Sequence, residues 1–143
     1  GIPASQAGTA HLSALAFGLI ATCCGAGGSA LGRVIIGKAM LVASFAAYVI
    51  AAALILLDLS MNSTASAHAL EAVKFAVSSY LLVHLVLGAV FSGFCLYRLR
   101  SGYVSATRQN DLVIGRLWHG YCLAVVLIAA VYPYLLAALQ PGG

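Results

Sequence analysis

The sequence predicts an all-α membrane protein, a bundle of four transmembrane helices in a single domain spanning residues 1–143. Three observations carry that prediction. Only 7% of residues are Asp, Glu, Lys or Arg, where a soluble domain carries about 25%. Hydrophobic residues make up 63%, and the mean hydropathy is +1.05. Four long apolar stretches run nearly end to end, with the few charges between them. Such a chain cannot cover itself with a hydrated surface, so lipid is its solvent.

The first span runs from about residue 10 to 30. Gly18, Ala21, Thr22, Gly25, Gly28 and Ser29 recur at steps of three and four, which lays small side chains along one helix stripe. Helices in lipid gain little from hydrophobicity against each other, so close backbone approach matters. Gly28 and Gly32 add a GxxxG pair. The second span, about 34–57, starts beside Arg33 and Lys38 and is closed by Asp58. Lys38 can snorkel to the headgroups. Ala46, Ala47, Ala51, Ala52 and Ala53 give a smooth surface, and the short first loop makes spans one and two an antiparallel hairpin. A small polar loop follows, with an Asn62-Ser63-Thr64 sequon. The third span, about 72–97, opens with Glu71 and Lys74 at i,i+3 spacing. The fourth, about 113–139, has Arg116, Trp118 and Tyr121 near its entry and Tyr132 and Tyr134 near its exit, as interfacial aromatics would lie. Pro133 falls in its last turns, where a kink costs least.

Loops one and three hold Arg33, Lys38, Arg98, Arg100, Arg108 and Arg116; the tails and loop two hold Lys74 alone. The positive-inside rule places loops one and three in the cytoplasm and both termini outside. The same rule accounts for the net charge of +4, so no nucleic-acid partner is expected. Cys23, Cys24, Cys95 and Cys122 fall inside spans at spacings of no zinc or haem-attachment pattern, and read as small hydrophobes. The opening Gly1-Ile2-Pro3-Ala4 has no basic region before an apolar core, unlike a signal peptide.

Histidines on two helices could hold a haem, and His84 and His119 are the pair within spans. His84 lies about 14 residues before Arg98, hence roughly 20 Å from the basic interface. His119 lies only three residues past Arg116, hence about 5 Å from it. Two axial ligands must share a depth, and a mismatch near 15 Å argues against a shared haem. His84 then reads as a hydrogen-bonded packing residue. His11 and His68, on the other side, lack the carboxylates or cysteines of a metal site. Asp58, Glu71 and Asp111 all stand at span ends or in loops, so no buried relay of acids suggests a proton pump. No phosphate loop, paired acid–base site or activated nucleophile is present, so no catalytic residue is expected.

The second half is more specific. His84-Leu85-Val86-Leu87-Gly88, then Tyr97-Arg98-Leu99-Arg100-Ser101-Gly102-Tyr103-Val104-Ser105, then Leu117-Trp118-His119, resembles the end of subunit III of haem–copper cytochrome c oxidases. That family shows a His-x-x-x-Gly step, a basic Arg–Gly loop and a final helix opening with Trp-His. The likeness extends over about residues 12–139, as the last four of the family's five or seven helices. Leu81 stands where the family often has a further histidine, and Cys122 where it usually has an aspartate. The family's membrane-embedded carboxylate has no counterpart, and the lipid cleft made with the first two helices would be absent or supplied by another chain. Similar regions are fused behind subunit I in some bacterial oxidases, so this chain could be such a tail.

The resemblance implies an accessory, non-catalytic subunit of a terminal oxidase in the respiratory chain, in a bacterial inner membrane. It implies no cofactor in this chain, with haem and copper in partner subunits. Its partners would be subunit I, other oxidase subunits and phospholipid. His84 and Gly88 would be helix–helix contacts, Trp118 and His119 interfacial or headgroup contacts, and Arg98 and Arg100 contacts to lipid phosphate. The alternatives are a haem b-binding membrane anchor of a respiratory complex, and an unrelated small transporter or assembly factor.

Overall fold

In a computed structural model the chain is described over residues 4–31, 34–61, 69–105 and 107–139. Gly32, Arg33, the 62–64 sequon and His68 lie outside the described residues, as does the side chain of Glu71. Four helices account for nearly everything described: α1 (Ala4–Ala30), α2 (Ile35–Met61), α3 (Ala69–Arg100) and α4 (Asn110–Leu139). All four are long and apolar enough to cross a membrane, over His11–Ala30, Ile35–Ser60, Ala72–Arg100 and Asn110–Leu135. Each helix outruns the apolar stretch read from the sequence. Hydropathy marks where a helix meets hydrocarbon, whereas its hydrogen-bonded ladder continues into polar residues such as Asn110 and Asp111. Pro133 sits inside α4, which continues beyond it to Leu139.

Neighbouring helices run antiparallel. α1 packs on α2 and α4, and α3 packs on α2 and α4, closing a four-membered ring. The register is visible in cross-helix pairs: Ser44 with Ala21, Ser44 with Ser92, and Arg98 with Asp111. The small-residue stripe of α1 is the inward face, since Gly18, Ala21, Thr22, Gly25, Gly28 and Ser29 are all buried. Gly28 lets α2 approach at backbone distance; an added Cβ would stand 2.9 Å from the Gly37 carbonyl. On α2 only Ala47 and Ala51 of the alanine set are buried, while Ala46 and Ala53 face outward. Large apolar side chains such as Ile35, Val90, Leu117 and Ile128 are exposed. The small inward face of α1 lets the helices approach closely, and Leu41, Tyr48, Ile55, Leu81 and Leu85 from α2 and α3 fill the remaining interior.

The turn between α3 and α4 positions the arginines. The Tyr103 amide donates to the Arg98 carbonyl and the Gly102 amide to that of Leu99. This is a Schellman cap, and Gly102 takes the left-handed φ of +75° that it requires. Arg98 Nε then donates to Asp111 Oδ2 at 2.8 Å, tying the end of α3 to the first turn of α4.

Gly120 offers a control for the packing. An added Cβ there meets nothing within 4 Å. Gly120→Ala should leave the fold intact and raise stability by up to about 1 kcal/mol, the helix-propensity difference. Reversible unfolding in mixed detergent micelles measures this.

Candidate functional site

The polar centre of the bundle is His119, which is fully buried. One group from each of the other three helices meets it. On α1, Gly25 has no side chain, and an added Cβ would lie 2.5 Å from His119 Nδ1. From α2, the Tyr48 hydroxyl lies 2.7 Å from Nδ1. From α3, Ser92 Oγ lies 3.5 Å from Nε2. Ser44 Oγ donates to the Ala21 carbonyl at 2.7 Å and lies 3.2 Å from Ser92 Oγ.

Proton counting fixes the direction of this chain. A serine hydroxyl carries one proton. That of Ser44 is committed to Ala21, so Ser92 donates to Ser44. Ser92 must then accept from His119, which places the imidazole proton on Nε2. Nδ1 is left with its lone pair and accepts from Tyr48. The order is therefore Tyr48, His119, Ser92, Ser44, Ala21, each donating to the next.

Register shows what such a chain can do. Ala21 is nine residues from the end of α1, Ser44 nine from the start of α2, Ser92 eight from the end of α3 and His119 nine from the start of α4. All four lie roughly 12–14 Å from the basic end of the bundle. Tyr48 starts further away, but helical side chains lean toward their own N-terminus, which in α2 is the basic end. The bonds thus run across the bundle, not along it, and clasp four helices at one level.

This corrects the shallow depth expected of His119. It lies about 14 Å inside α4, and the depth mismatch with His84 is well short of 15 Å, since the His84 carbonyl is 3.8 Å from the thiol of Cys122, one turn along from His119. Arg116 misled as a boundary marker because it is exposed on the flank of α4, within the helix. His119 is a four-helix contact, not a headgroup contact.

His84 occupies a separate cluster on the α3–α4 side. Its Nδ1–H donates to the Tyr80 carbonyl at 2.8 Å. Its ring stacks on Trp118 at 6.0 Å and 6°, and meets Tyr121 at 5.3 Å and Tyr80 at 4.2 Å. Phe91 stacks on Trp118, and the Tyr80 and Tyr121 hydroxyls bond at 2.7 Å. The Cys122 thiol points at the His84 carbonyl, 3.8 Å away. Gly88 belongs to the clasp, because the Tyr48 ring fills the space a side chain would need. Arg98 is held by Asp111 and lies over the Tyr103 ring at 4.5 Å; Arg100 is exposed.

No family model, curated protein or solved structure matches the chain.

Two further contacts escaped the sequence. Tyr48 is the largest fully buried side chain, and a lone tyrosine among mid-span alanines was the available signal, because a buried phenol needs a partner. Asp58 is buried inside α2, contrary to the expectation that no acid enters a span, and His11 Nδ1 lies 3.6 Å from it. The helical register brings these two together at the opposite end of the α1–α2 hairpin. Among the described residues no three His, Cys, Asp or Glu side chains group as metal ligands would.

Proposed function

We propose that the chain is an accessory, non-catalytic membrane subunit of a haem–copper terminal oxidase, similar to the last four helices of subunit III. The observation that supports it is how the residues of the resemblance are used. Gly88 and His119 make the four-helix clasp, His84 and Trp118 stack on each other, and Arg98 braces the turn. These five serve helix packing, with Arg100 alone of the six exposed, which suits a subunit that stabilises a catalytic neighbour. In this reading loops one and three face the cytoplasm of a bacterium and both termini face the periplasm, as the basic residues favour. Oxygen reduction, haem and copper belong to partner subunits.

Both His119 nitrogens face hydroxyl partners and His84 Nδ1 is bonded to a carbonyl, which favours packing over axial ligation. Extraction in mild detergent tests the proposal. The chain should co-purify with a haem–copper subunit I, and the isolated chain should show no Soret band. A Soret band abolished by His84→Ala or His119→Ala would establish the haem anchor instead.

A further inference from the structure

Beyond the His84 cluster, toward the end of the bundle opposite the arginines, α3 and α4 bound a groove of about 380 Å³. Its walls are Ala76, Val77, Ala124, Val125, Ile128 and Ala129, and Tyr80 and Tyr121 complete the lining. The rings of His84, Trp118, Tyr80 and Tyr121 wedge the two helices apart, and the alanines that follow are too small to fill the gap. Tyr80, Tyr121 and Ile128 are exposed, so the groove opens sideways onto hydrocarbon. The two phenol hydroxyls bond each other at 2.7 Å. Two phenols carry two protons, and that bond uses one. The other proton has no acceptor among the described residues. Tyr121 stands within two residues of the middle of its span, Asn110–Leu135, far from the level of an interfacial aromatic belt. No water is present at that depth to take the proton. Phospholipid ester carbonyls lie at the edge of the hydrocarbon, about 15 Å from its centre. A bare donor there is costly unless something satisfies it.

The partner these observations call for must dissolve in the bilayer centre, carry an acceptor oxygen and present a compact apolar body. An isoprenoid quinone has all three properties: a small ring, two carbonyl oxygens and a hydrocarbon tail. We propose that the α3–α4 groove binds the ring of an isoprenoid quinone, with one carbonyl accepting the spare phenol proton. The ring lies among the alanines and valines, and the tail leaves through the open side into the bilayer. A mostly apolar lining with a few placed polar groups, at this volume, is what small-molecule sites generally show. His84 is a positioning residue here. Its Nδ1–H donates to the Tyr80 carbonyl at 2.8 Å and its ring meets the Tyr80 ring at 4.2 Å, which holds that phenol in place. The site goes beyond the oxidase reading, and neither depends on the other.

Trp118 is the sole tryptophan, and its ring lies 5.6 Å from that of Tyr121, so a quinone in the groove should quench its fluorescence. The test titrates decylubiquinone into the purified chain in phosphatidylcholine nanodiscs. Quenching should saturate, and decylbenzene, which has the ring and tail without the carbonyls, should displace the quinone poorly. Tyr80→Phe and Tyr121→Phe each leave one phenol proton to donate and should weaken binding only slightly. The double variant leaves none and should weaken it about tenfold, the worth of one hydrogen bond. Ala124→Leu fills the groove and should abolish saturable quenching although both phenols remain. Ala53→Leu, exposed on α2, adds the same bulk elsewhere and should change nothing. Four results would overturn the proposal: quenching that never saturates, equal displacement by decylbenzene, equal losses in one single Phe variant and in the double, or unchanged binding in Ala124→Leu. Cross-linking of Ala124→Cys to a helix of a neighbouring chain in the extracted complex would also do so, because the groove would then be closed by protein. Tyr80, Tyr121 and Ala124 are all exposed, so their variants should fold, and circular dichroism verifies that each one has.

Discussion

Tyr48→Ala should destabilise the bundle by about 3–5 kcal/mol, the largest loss expected of any single truncation here. Tyr48 is wholly buried and touches two other helices. Its ring lies against Gly88 of α3 and stacks on His119 of α4 at 5.6 Å, and its hydroxyl bonds Nδ1. Lipid alters the usual reckoning, because the unfolded reference already keeps the ring out of water, so the transfer part of the loss largely vanishes. The cavity part survives: a void of roughly 100 Å³ at about 24 cal/mol per Å³ costs about 2.4 kcal/mol. The orphaned imidazole nitrogen adds about 0.6–1.7 kcal/mol more. Tyr48→Phe separates these contributions, since it keeps the ring and removes only the hydroxyl. It should cost about 0.6–1.7 kcal/mol, the range of interhelical hydrogen bonds in bilayers. Unfolding in mixed micelles measures both variants. If Tyr48→Phe proves as damaging as Tyr48→Ala, the hydroxyl alone matters and the packing account fails.

What the sequence revealed, and what it hid, divides along a physical line. The stripe of Gly18, Ala21, Thr22, Gly25, Gly28 and Ser29 was legible because helical spacing is a local property, and all six are buried. The four spans were legible because composition alone determines whether a helix tolerates hydrocarbon. The clasp was not, because it joins residues 21, 44, 48, 92 and 119 across four helices, and only their mutual register brings them to one level. His119 was misplaced for a related reason. A cation near a helix end marks the interface only if its side chain cannot reach, and arginine can. Asp58 shows the converse. Its position near the end of a span is plain in the sequence, but its burial against α1 depends on where His11 lands in the antiparallel hairpin. Of the six candidate residues, His84 and Trp118 share one cluster and Gly88 and His119 another, a grouping invisible from spacing.

Gly25→Ala probes the same clasp from α1 and should cost about 1–3 kcal/mol, the usual penalty for overfilling a packed site. The new methyl would stand 2.5 Å from His119 Nδ1, 2.6 Å from Cε1 and 2.7 Å from Cγ. Those atoms are the body of a rigid ring, not the tip of a flexible chain. The ring cannot retreat without breaking its 2.7 Å bond to Tyr48, so α1 must move from α4 or the clasp must open. The two outcomes have different signatures. If the clasp opens, Gly25→Ala and Tyr48→Phe damage the same bond, and the double variant should be less destabilised than the sum of the singles. If α1 moves instead, the effects should add, because the Tyr48 bond survives. In both cases shrinking the ring should relieve the clash, so His119→Ser should cost less in the Gly25→Ala background than in the unaltered chain. Gly120→Ala, on the same helix as His119 but facing open space, should show no such coupling. Full additivity of Gly25→Ala with His119→Ser would mean that the two residues do not touch, and the glycine slot would have to be abandoned as the reason His119 can lie at the centre of four helices.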